Sequence, residues 1–265
     1  MRAMISWLSL IIVFLVITVL SVSADIQEGL ILYFSFDEAQ GNTVEDMTGN
    51  SHNGTLKEGA EITAGKIGAG ALQIEGGNET MEVDTFAELE TYQDNTYLFW
   101  IDFTDPASGG WDQIVAKGAP GSDRSPGIWV TPEGLSIHYR YNPGNLGTWG
   151  ITPTGNQDGN FFEMNTWYHI AGVKTGAELI AYVNGEEKAR EAVPAEHAQG
   201  EGMLYVGKSQ TYAGPGAKFI IDELAIYNRP LTQDEIVTVM SGGLATPVDP
   251  KGKLASTWGD VKNLY

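Results

Sequence analysis

The sequence predicts an all-β fold, a sandwich of two antiparallel sheets with one short C-terminal helix, and three observations support it. Short runs of alternating apolar and polar residues recur along the chain, and this period of two is what half-buried strands require. The chain has 33 glycines and 11 prolines, many of them between those runs, where turns need them. Asn184-Gly185 joins two such runs, and Asn-Gly favours a hairpin because a type I′ turn needs positive φ at both central residues.

The first element, residues 1–24, is predicted to be a secretory signal peptide. Arg2 precedes the uncharged apolar run Trp7 to Leu20, and Val22 and Ala24 occupy the small-residue positions of a cleavage site. The run is short for a bilayer span of about 20 residues, so cleavage is favoured over a retained anchor. We therefore expect a protein that is secreted or held in the cell envelope, without membrane insertion after cleavage.

The next elements are strands, and turn residues separate nearly all of them. Many short strands with turns at short intervals are typical of a sandwich or barrel. The predicted strands are Leu30–Phe36, Ala71–Ile74, Thr80–Val83, Thr96–Phe103, Gln113–Lys117, Gly127–Val130, Leu135–Tyr141, Trp167–Lys174, Glu178–Val183, Glu186–Glu191, Met203–Gly207 and Phe219–Tyr227.

The last element is a helix that begins after Thr232. Thr232 is a good N-cap, and Glu235 stands at the position that completes a capping box. Ile236 and the apolar residues three and four positions later share one helix face, which should contact the sandwich. Gly242-Gly243 ends the helix. Residues 25–243 are therefore predicted to form one domain, followed by a C-terminal tail, residues 244–265.

Composition excludes several classes of function. The formal net charge is −19, and so acidic a protein lacks the Lys and Arg that neutralise nucleic-acid phosphates. The chain has no cysteine, so thiol catalysis is excluded and a core or a metal ion must replace disulfides in an exported protein. The four histidines are scattered and lack zinc-binding spacing.

Several fragments, taken in order, resemble the laminin-G-like jelly roll domain of the concanavalin A-like lectin/glucanase superfamily. The resemblance covers about Gly29 to Met240, and it implies two packed antiparallel sheets in a jelly roll without implying a ligand. The fragments are Leu32–Glu38, Asp46–Gly54, Gly65–Leu72, Tyr97–Ile101, Trp167–Gly172, Ala181–Gly185 and Ile221–Leu231.

The resemblance implies a structural calcium ion, because a cation in this superfamily commonly bridges the first strand and the last long strand. The matching residues are Asp37 and Asp222. Asp46 and Asn50, in the loop Asp46–Asn53, would supply further oxygens. Calcium takes six to eight oxygen ligands, and carboxylates and amides supply them. The alternative is that these side chains make local hydrogen bonds in turns and on a sheet face.

A sugar-binding surface is the second candidate site. Alternation in the strand Leu135–Tyr141 puts His138 and Arg140 on a polar face, which we expect to be wet. Trp149 lies in a Gly- and Asn-rich loop and Tyr212 in a similar loop, where aromatic rings suit ligand stacking as well as packing.

The burial of the other tryptophans is predicted from their neighbours in the predicted strands. Trp100 and Trp167 lie among apolar neighbours and are predicted to be core residues. The sequence does not indicate whether Trp111 and Trp129 are core residues or part of a binding surface.

Glycoside hydrolysis is a less favoured alternative. It needs two carboxyl groups about 5–5.5 Å apart for a retaining reaction. Glu82-Val83-Asp84 begins such a pattern, but the next acid is Glu88, too far along to share a strand face.

The sequence thus predicts an exported, non-catalytic recognition module for extracellular glycan or protein. The alternatives are a glycoside hydrolase or lyase, and a structural or adhesive surface protein whose tail docks a partner.

Overall fold

The computed structural model describes residues 25–118, 127–141, 150–152, 160–196 and 201–244. In these ranges the fold is a two-sheet antiparallel jelly-roll sandwich, as the sequence predicts. The elements are β1 Leu30–Phe34, β2 Ala39–Gln40, β3 Thr43–Val44, β4 Gly54–Lys57, β5 Glu61–Thr63, β6 Ala71–Gly77, β7 Thr80–Val83, α1 Ala87–Thr91, β8 Asn95–Phe103, β9 Asp112–Gly118, β10 Gly127–Thr131, β11 Gly134–Arg140, β12 Gly150–Ile151, β13 Trp167–Thr175, β14 Glu178–Val183, β15 Glu186–Ala192, β16 Met203–Gly207, β17 Gly216–Tyr227 and α2 Gln233–Met240.

The first sheet is organised around β17, the longest strand. The first half of β17 pairs with β6, which continues to β5, and the second half pairs with β1. On its other side β17 pairs with β8, followed by β13, β14 and β15. All these pairs are antiparallel.

The second sheet has the order β2, β3, β4, β7, β16, β9, β10, β11, β12, again with antiparallel neighbours. A single parallel pair, Gly216 opposite Gln113, links it to the first sheet. The inner faces of the two sheets form one hydrophobic core, which includes Phe99 and Ile101 of β8 and Ile137 and Tyr139 of β11.

The hairpin of β14 and β15 forms as predicted. Asn184 and Gly185 have φ of 52° and 78°, the two positive values that a type I′ turn needs. The side-chain oxygen of Asn184 also accepts a hydrogen bond from the backbone N–H of His169 on β13.

The capping box of α2 is confirmed. The Thr232 side chain accepts from the Glu235 backbone, and the Glu235 side chain accepts from the Thr232 backbone N–H at 2.7 Å. Ile236 and Val239 are buried on the outer face of the first sheet, where they form a second, smaller core with Leu98 and Ala171.

The structure corrects one prediction from the sequence and adds elements that the sequence did not predict. Trp100 and Trp167 are half-buried rather than core residues, because both point to the outer face of the first sheet, beyond the part that α2 covers. The sequence also misses the short helix α1 and five short strands: β2, β3, β4, β5 and β12.

Candidate functional site

A polar and aromatic cluster lies on the outer face of the second sheet. On β11 the odd-numbered residues Ile137 and Tyr139 belong to the core, so Ser136, His138 and Arg140 face the opposite side. Trp129 of β10 is the cross-strand partner of His138, and directly paired residues share a face.

A loop connecting β16 to β17 brings Tyr212 to this cluster. Gln113 holds the loop: its side-chain oxygen accepts from the Ser209 backbone N–H at 2.9 Å, and its amide donates to the Gly214 carbonyl at 3.0 Å. The Tyr212 hydroxyl donates to the Lys117 carbonyl at 2.8 Å. The Tyr212 ring then meets the Trp129 ring edge-on, with 6.0 Å between centroids.

Trp111 provides the exposed aromatic surface of the cluster. Its side chain is 39% exposed, and its ring contacts the His138 ring edge-on at 4.9 Å. Sequence reasoning left Trp111 undecided, because it stands one residue before β9 and alternation alone does not fix its direction. Exposed aromatic residues beside polar groups are typical of ligand-binding surfaces.

His138 is the least satisfied group of the cluster. It is 3% exposed, and neither ring nitrogen has a hydrogen-bond partner among the described residues. Burial, and secondarily the charge of Arg140, lowers the pKa of His138 to about 4. The imidazole is therefore neutral at pH 7, with one donor and one acceptor nitrogen.

Ser136, next along the same face, is 1% exposed, and its hydroxyl also has no partner in the described ranges. The expectation that this face is wet is therefore wrong at Ser136 and His138. Unsatisfied buried polar groups are rare in native proteins, so each calls for a specific explanation.

The structure places three of the four residues predicted for a sugar site in one region of the second sheet. His138 and Arg140 lie on one strand face, and Tyr212 is joined to them through Trp129. Trp149 lies outside the described residues.

Chemically, the cluster suits binding. Trp111 and Tyr212 offer ring faces and edges, His138 and Ser136 offer hydrogen-bonding atoms, and Arg140 offers a cation. This set contains no carboxylate, whereas glycoside hydrolysis uses a pair of them.

The acids considered for hydrolysis lie elsewhere and do not share one strand. Glu82 of β7 is buried and forms an ion pair with Lys57 of β4. Asp84 follows the end of β7, and Glu88 lies on α1.

The predicted calcium ligands form two groups. Asp37 and Asp222 both bind the loop that precedes β6. Asp222 Oδ2 accepts from the backbone N–H groups of Lys66 and Ile67, at 2.7 and 2.9 Å. Asp37 Oδ1 accepts from the next two donors, Ala69 and Gly70, at 2.6 and 2.7 Å.

Asp46 and Asn50 lie in a separate loop beside β1. Asp46 is buried and accepts from the backbone N–H groups of Tyr33 at 3.2 Å and His52 at 3.1 Å. The Asn50 amide donates to the Ile31 carbonyl. These bonds attach the loop to the edge of the first sheet.

The side chains predicted to bind a calcium ion make backbone hydrogen bonds in this arrangement. The oxygens expected to coordinate it accept backbone N–H groups, and within the described ranges no group of three or more His, Asp or Glu side chains is placed to hold a metal. The same loop contacts instead satisfy the carboxylates, as successive backbone N–H groups do for anions.

Sequence reasoning missed Glu223, a buried acid next to Asp222. Burial raises the pKa of Glu223 to about 7 and that of Asp222 to about 6. Glu223 accepts from the Tyr33 hydroxyl at 2.7 Å. Its φ of 54° occurs where the β17 register shifts between Asp222 and Ala225, a bulge that no sequence pattern marks.

Solved structures with the same fold are similar in shape but distant in sequence. They include Trypanosoma rangeli sialidase in complex with sialic acid, at a TM-score of 0.63 and 16% identity, with 82% of this chain and 33% of that chain covered. The receptor binding domain of botulinum neurotoxin D gives a TM-score of 0.63 at 15% identity, covering 83% of this chain and 54% of that one. The binding domain of Paraclostridial Mosquitocidal Protein 1 gives 0.62 at 16% identity, covering 83% and 53%.

The chain thus spans between a third and about half of these three structures. No curated protein matches it in sequence. None of the helices in the described ranges is long and apolar enough to cross a membrane.

The family comparison agrees with the sandwich described above. The model of the concanavalin A-like lectin/glucanases superfamily matches residues 75–237, from β6 into α2. Since this match covers more than half of the chain, the protein belongs to the concanavalin A-like lectin/glucanases superfamily.

Proposed function

We propose that the protein is an exported, non-catalytic recognition module that binds extracellular glycan through the outer face of its second sheet. The observation that carries the proposal is the pairing of a buried, neutral His138, whose ring nitrogens have no hydrogen-bond partner among the described residues, with the exposed Trp111. The exposed indole would contact the C–H face of the sugar ring. A shift of the Trp111 ring away from its contact with His138 would open the imidazole to saccharide hydroxyls, which would supply the missing hydrogen bonds.

Three further features support glycan binding. Arg140 and Ser136 extend the row of polar groups along β11, and Tyr212 adds a second aromatic ring next to Trp129. The net charge of −19 disfavours polyanionic nucleic acids. Two of the structures that share this fold are binding domains, so recognition is a role that the same fold serves in other proteins.

The test is a glycan array followed by calorimetric titration of the best ligand. We expect Trp111→Ala to weaken binding at least about fivefold, since removing a stacking ring costs about 1 kcal/mol or more. The matched control is Val237→Ala, because Val237 is equally exposed, at 40%, but lies on α2 against the other sheet. Absence of binding to every glycan, or equal affinity of both variants and the original protein, would remove the proposal.

A structural calcium ion at Asp37 and Asp222 stays a prediction. Its support is electrostatic: burial, and to a much smaller extent the negative charge of Asp37, raises the pKa of Asp222, and a cation between the two carboxylates would relieve both effects. It would have to displace backbone N–H donors of Lys66 and Ala69. A rise in Tm with calcium that Asp222→Asn abolishes would support it, whereas an unchanged Tm with calcium and with chelator would remove it.

A further inference from the structure

The outer face of the first sheet carries a second group of aromatic and polar side chains. In the register of β8 and β13, Trp100 is opposite His169 and Asp102 is opposite Trp167. The residues between them on each strand, Ile101 and Tyr168, face the core side. The side chains on the outer face therefore form one array, which we call the β8–β13 array and which consists of Trp100, Asp102, Trp167 and His169.

α2 covers only the neighbouring part of this face. Its buried residues pack with Leu98 and Ala171. This cross-strand pair lies next to the pair Trp100 and His169 on the same face, two residues away on each strand. Trp100 and Trp167 stay half-buried. The ring of Trp100 contacts the ring of His169 edge-on at 5.3 Å, and the Lys66 ammonium lies 5.1 Å from the Trp100 centroid.

Unsatisfied polar atoms are concentrated here. Within the described parts of the chain, Trp100 Nε1, Asp102 Oδ1 and His169 Nδ1 are buried without a hydrogen-bond partner. The same holds for Thr104 Oγ1, in the residue that follows β8. His169 is 1% exposed. Burial raises the pKa of Asp102, and the nearby Thr166 backbone N–H partly offsets this effect.

The mixture of donors and acceptors identifies the chemical class of ligand. Trp100 Nε1 can only donate, an ionised Asp102 can only accept, and the Thr104 hydroxyl and a neutral His169 can do both. A cation would leave the Trp100 donor unsatisfied, and an anion would face Asp102. A hydroxyl group both donates and accepts, so a ligand with several hydroxyls on an apolar ring matches the whole set once the side chains that cover these buried atoms move aside.

Two electrostatic facts agree with a neutral ligand. Burial lowers the pKa of His169 to about 3, so its imidazole is uncharged at pH 7. Burial also raises the pKa of Asp102, which disfavours the charged form. Because Lys66 already occupies one face of Trp100, Trp167 is the ring assigned to stacking, and Trp100 is assigned the role of hydrogen-bond donor.

We propose that the β8–β13 array, together with Thr104, is a second saccharide-binding site, separate from the His138 cluster and on the opposite sheet. The protein would then carry two sites facing away from each other, one on each outer face of the sandwich. Such a molecule can bind two glycan chains, or two points of one surface, and gain avidity without any new contact.

The experiment is a titration of the full chain with indole-¹⁵N-labelled tryptophan, using neutral mono- and oligosaccharides of glucose, galactose, mannose and N-acetylglucosamine as probes. Trp100→Phe identifies the Trp100 indole signal. We expect a saturable shift of that signal that persists in Trp111→Ala and disappears in Trp167→Ala. The saccharide-induced shift of the Trp111 signal should instead persist in Trp167→Ala. Trp111→Ala and Trp167→Ala are thus each other's matched controls.

Thr104→Val keeps the test valid if Trp167→Ala folds poorly. It replaces an unsatisfied hydroxyl by an isosteric methyl, so we expect a higher Tm together with about three- to tenfold weaker saccharide binding at the Trp100 signal.

Three results would overturn the proposal: a Trp100 signal that no saccharide shifts, a shift that is lost with Trp111→Ala, or a shift produced by a lysine-rich peptide instead of saccharides. A failure of the His138 cluster alone would leave the Trp100 response intact, so the two proposals fail separately.

Discussion

Gly172 is the position at which the contact between the two sheets can be tested most simply. It lies on β13 of the first sheet, facing Tyr139 of β11 in the second sheet. A Cβ atom at Gly172 would lie 2.1 Å from a Tyr139 ring carbon, far below an ordinary contact. The Tyr139 hydroxyl also donates to the Gly172 carbonyl at 3.1 Å, so the ring cannot move without straining that bond.

The change Gly172→Ala should therefore be strongly destabilising. The cavity beside these residues is about 10 Å³, too small to receive a displaced ring. Overpacking costs about 1–3 kcal/mol, and weakening a buried hydrogen bond adds about 1 kcal/mol. The sum of about 3 kcal/mol lowers Tm by about 6–12 °C, because each kcal/mol is worth about 2–4 °C in a domain of this size.

Thermal unfolding followed by circular dichroism is the assay. Gly110→Ala is the matched control, because its added Cβ would meet nothing nearer than 3.5 Å, and its Tm should change by less than about 2 °C. Tyr139→Leu should relieve the clash, so the double variant should be more stable than the sum of the single effects allows. Additive effects, or a Gly172→Ala protein as stable as the original, would refute face-to-face packing at this point.

Three further predictions follow from other contacts. The pKa of His138 is about 4 in the folded chain against 6.5 unfolded, so the unfolded chain binds the extra proton and stability is lost as pH falls from about 6.5 towards 4. His138→Gln should reduce the loss between pH 7 and pH 5 by about 2 kcal/mol in urea titrations; an identical loss in both proteins contradicts the burial of His138. Thr232→Ala removes the capping box and should cost about 1 kcal/mol, measured the same way, whereas Thr238→Ala at an exposed helix position should not. Gly185→Ala should cost about 1–3 kcal/mol, because φ is 78° and the new Cβ would lie 2.9 Å from Val237, and an unchanged Tm would exclude that contact.

The regular parts of the fold could be predicted from the sequence because their signals are local. Asn184-Gly185 fixes the hairpin of β14 and β15, and the Thr232 capping box fixes the start of α2. The short strands β2 to β5 escaped prediction because two to four residues are too few to show a period. α1 has a single turn and begins without a side-chain cap.

The candidate site could be predicted only in part. Alternation on β11 separates Ser136 and His138 from the core residues, and the structure confirms that separation. Alternation does not show what covers an outer face. The sequence therefore misplaced Trp100 and Trp167, whose exposure depends on where α2 ends. The register that joins Trp129 to His138, and the ring contact that joins Trp111 to it, are long-range and leave no local signal.

The state of the His138 ring nitrogens is the most direct test of the proposed glycan site. The ¹⁵N shifts of a labelled imidazole report hydrogen bonding at Nδ1 and Nε2 separately. With saturating amounts of the best glycan from the array, we predict that at least one His138 nitrogen signal moves to a hydrogen-bonded value at pH 7. A glycan that binds the protein while both signals stay unchanged would contradict the account.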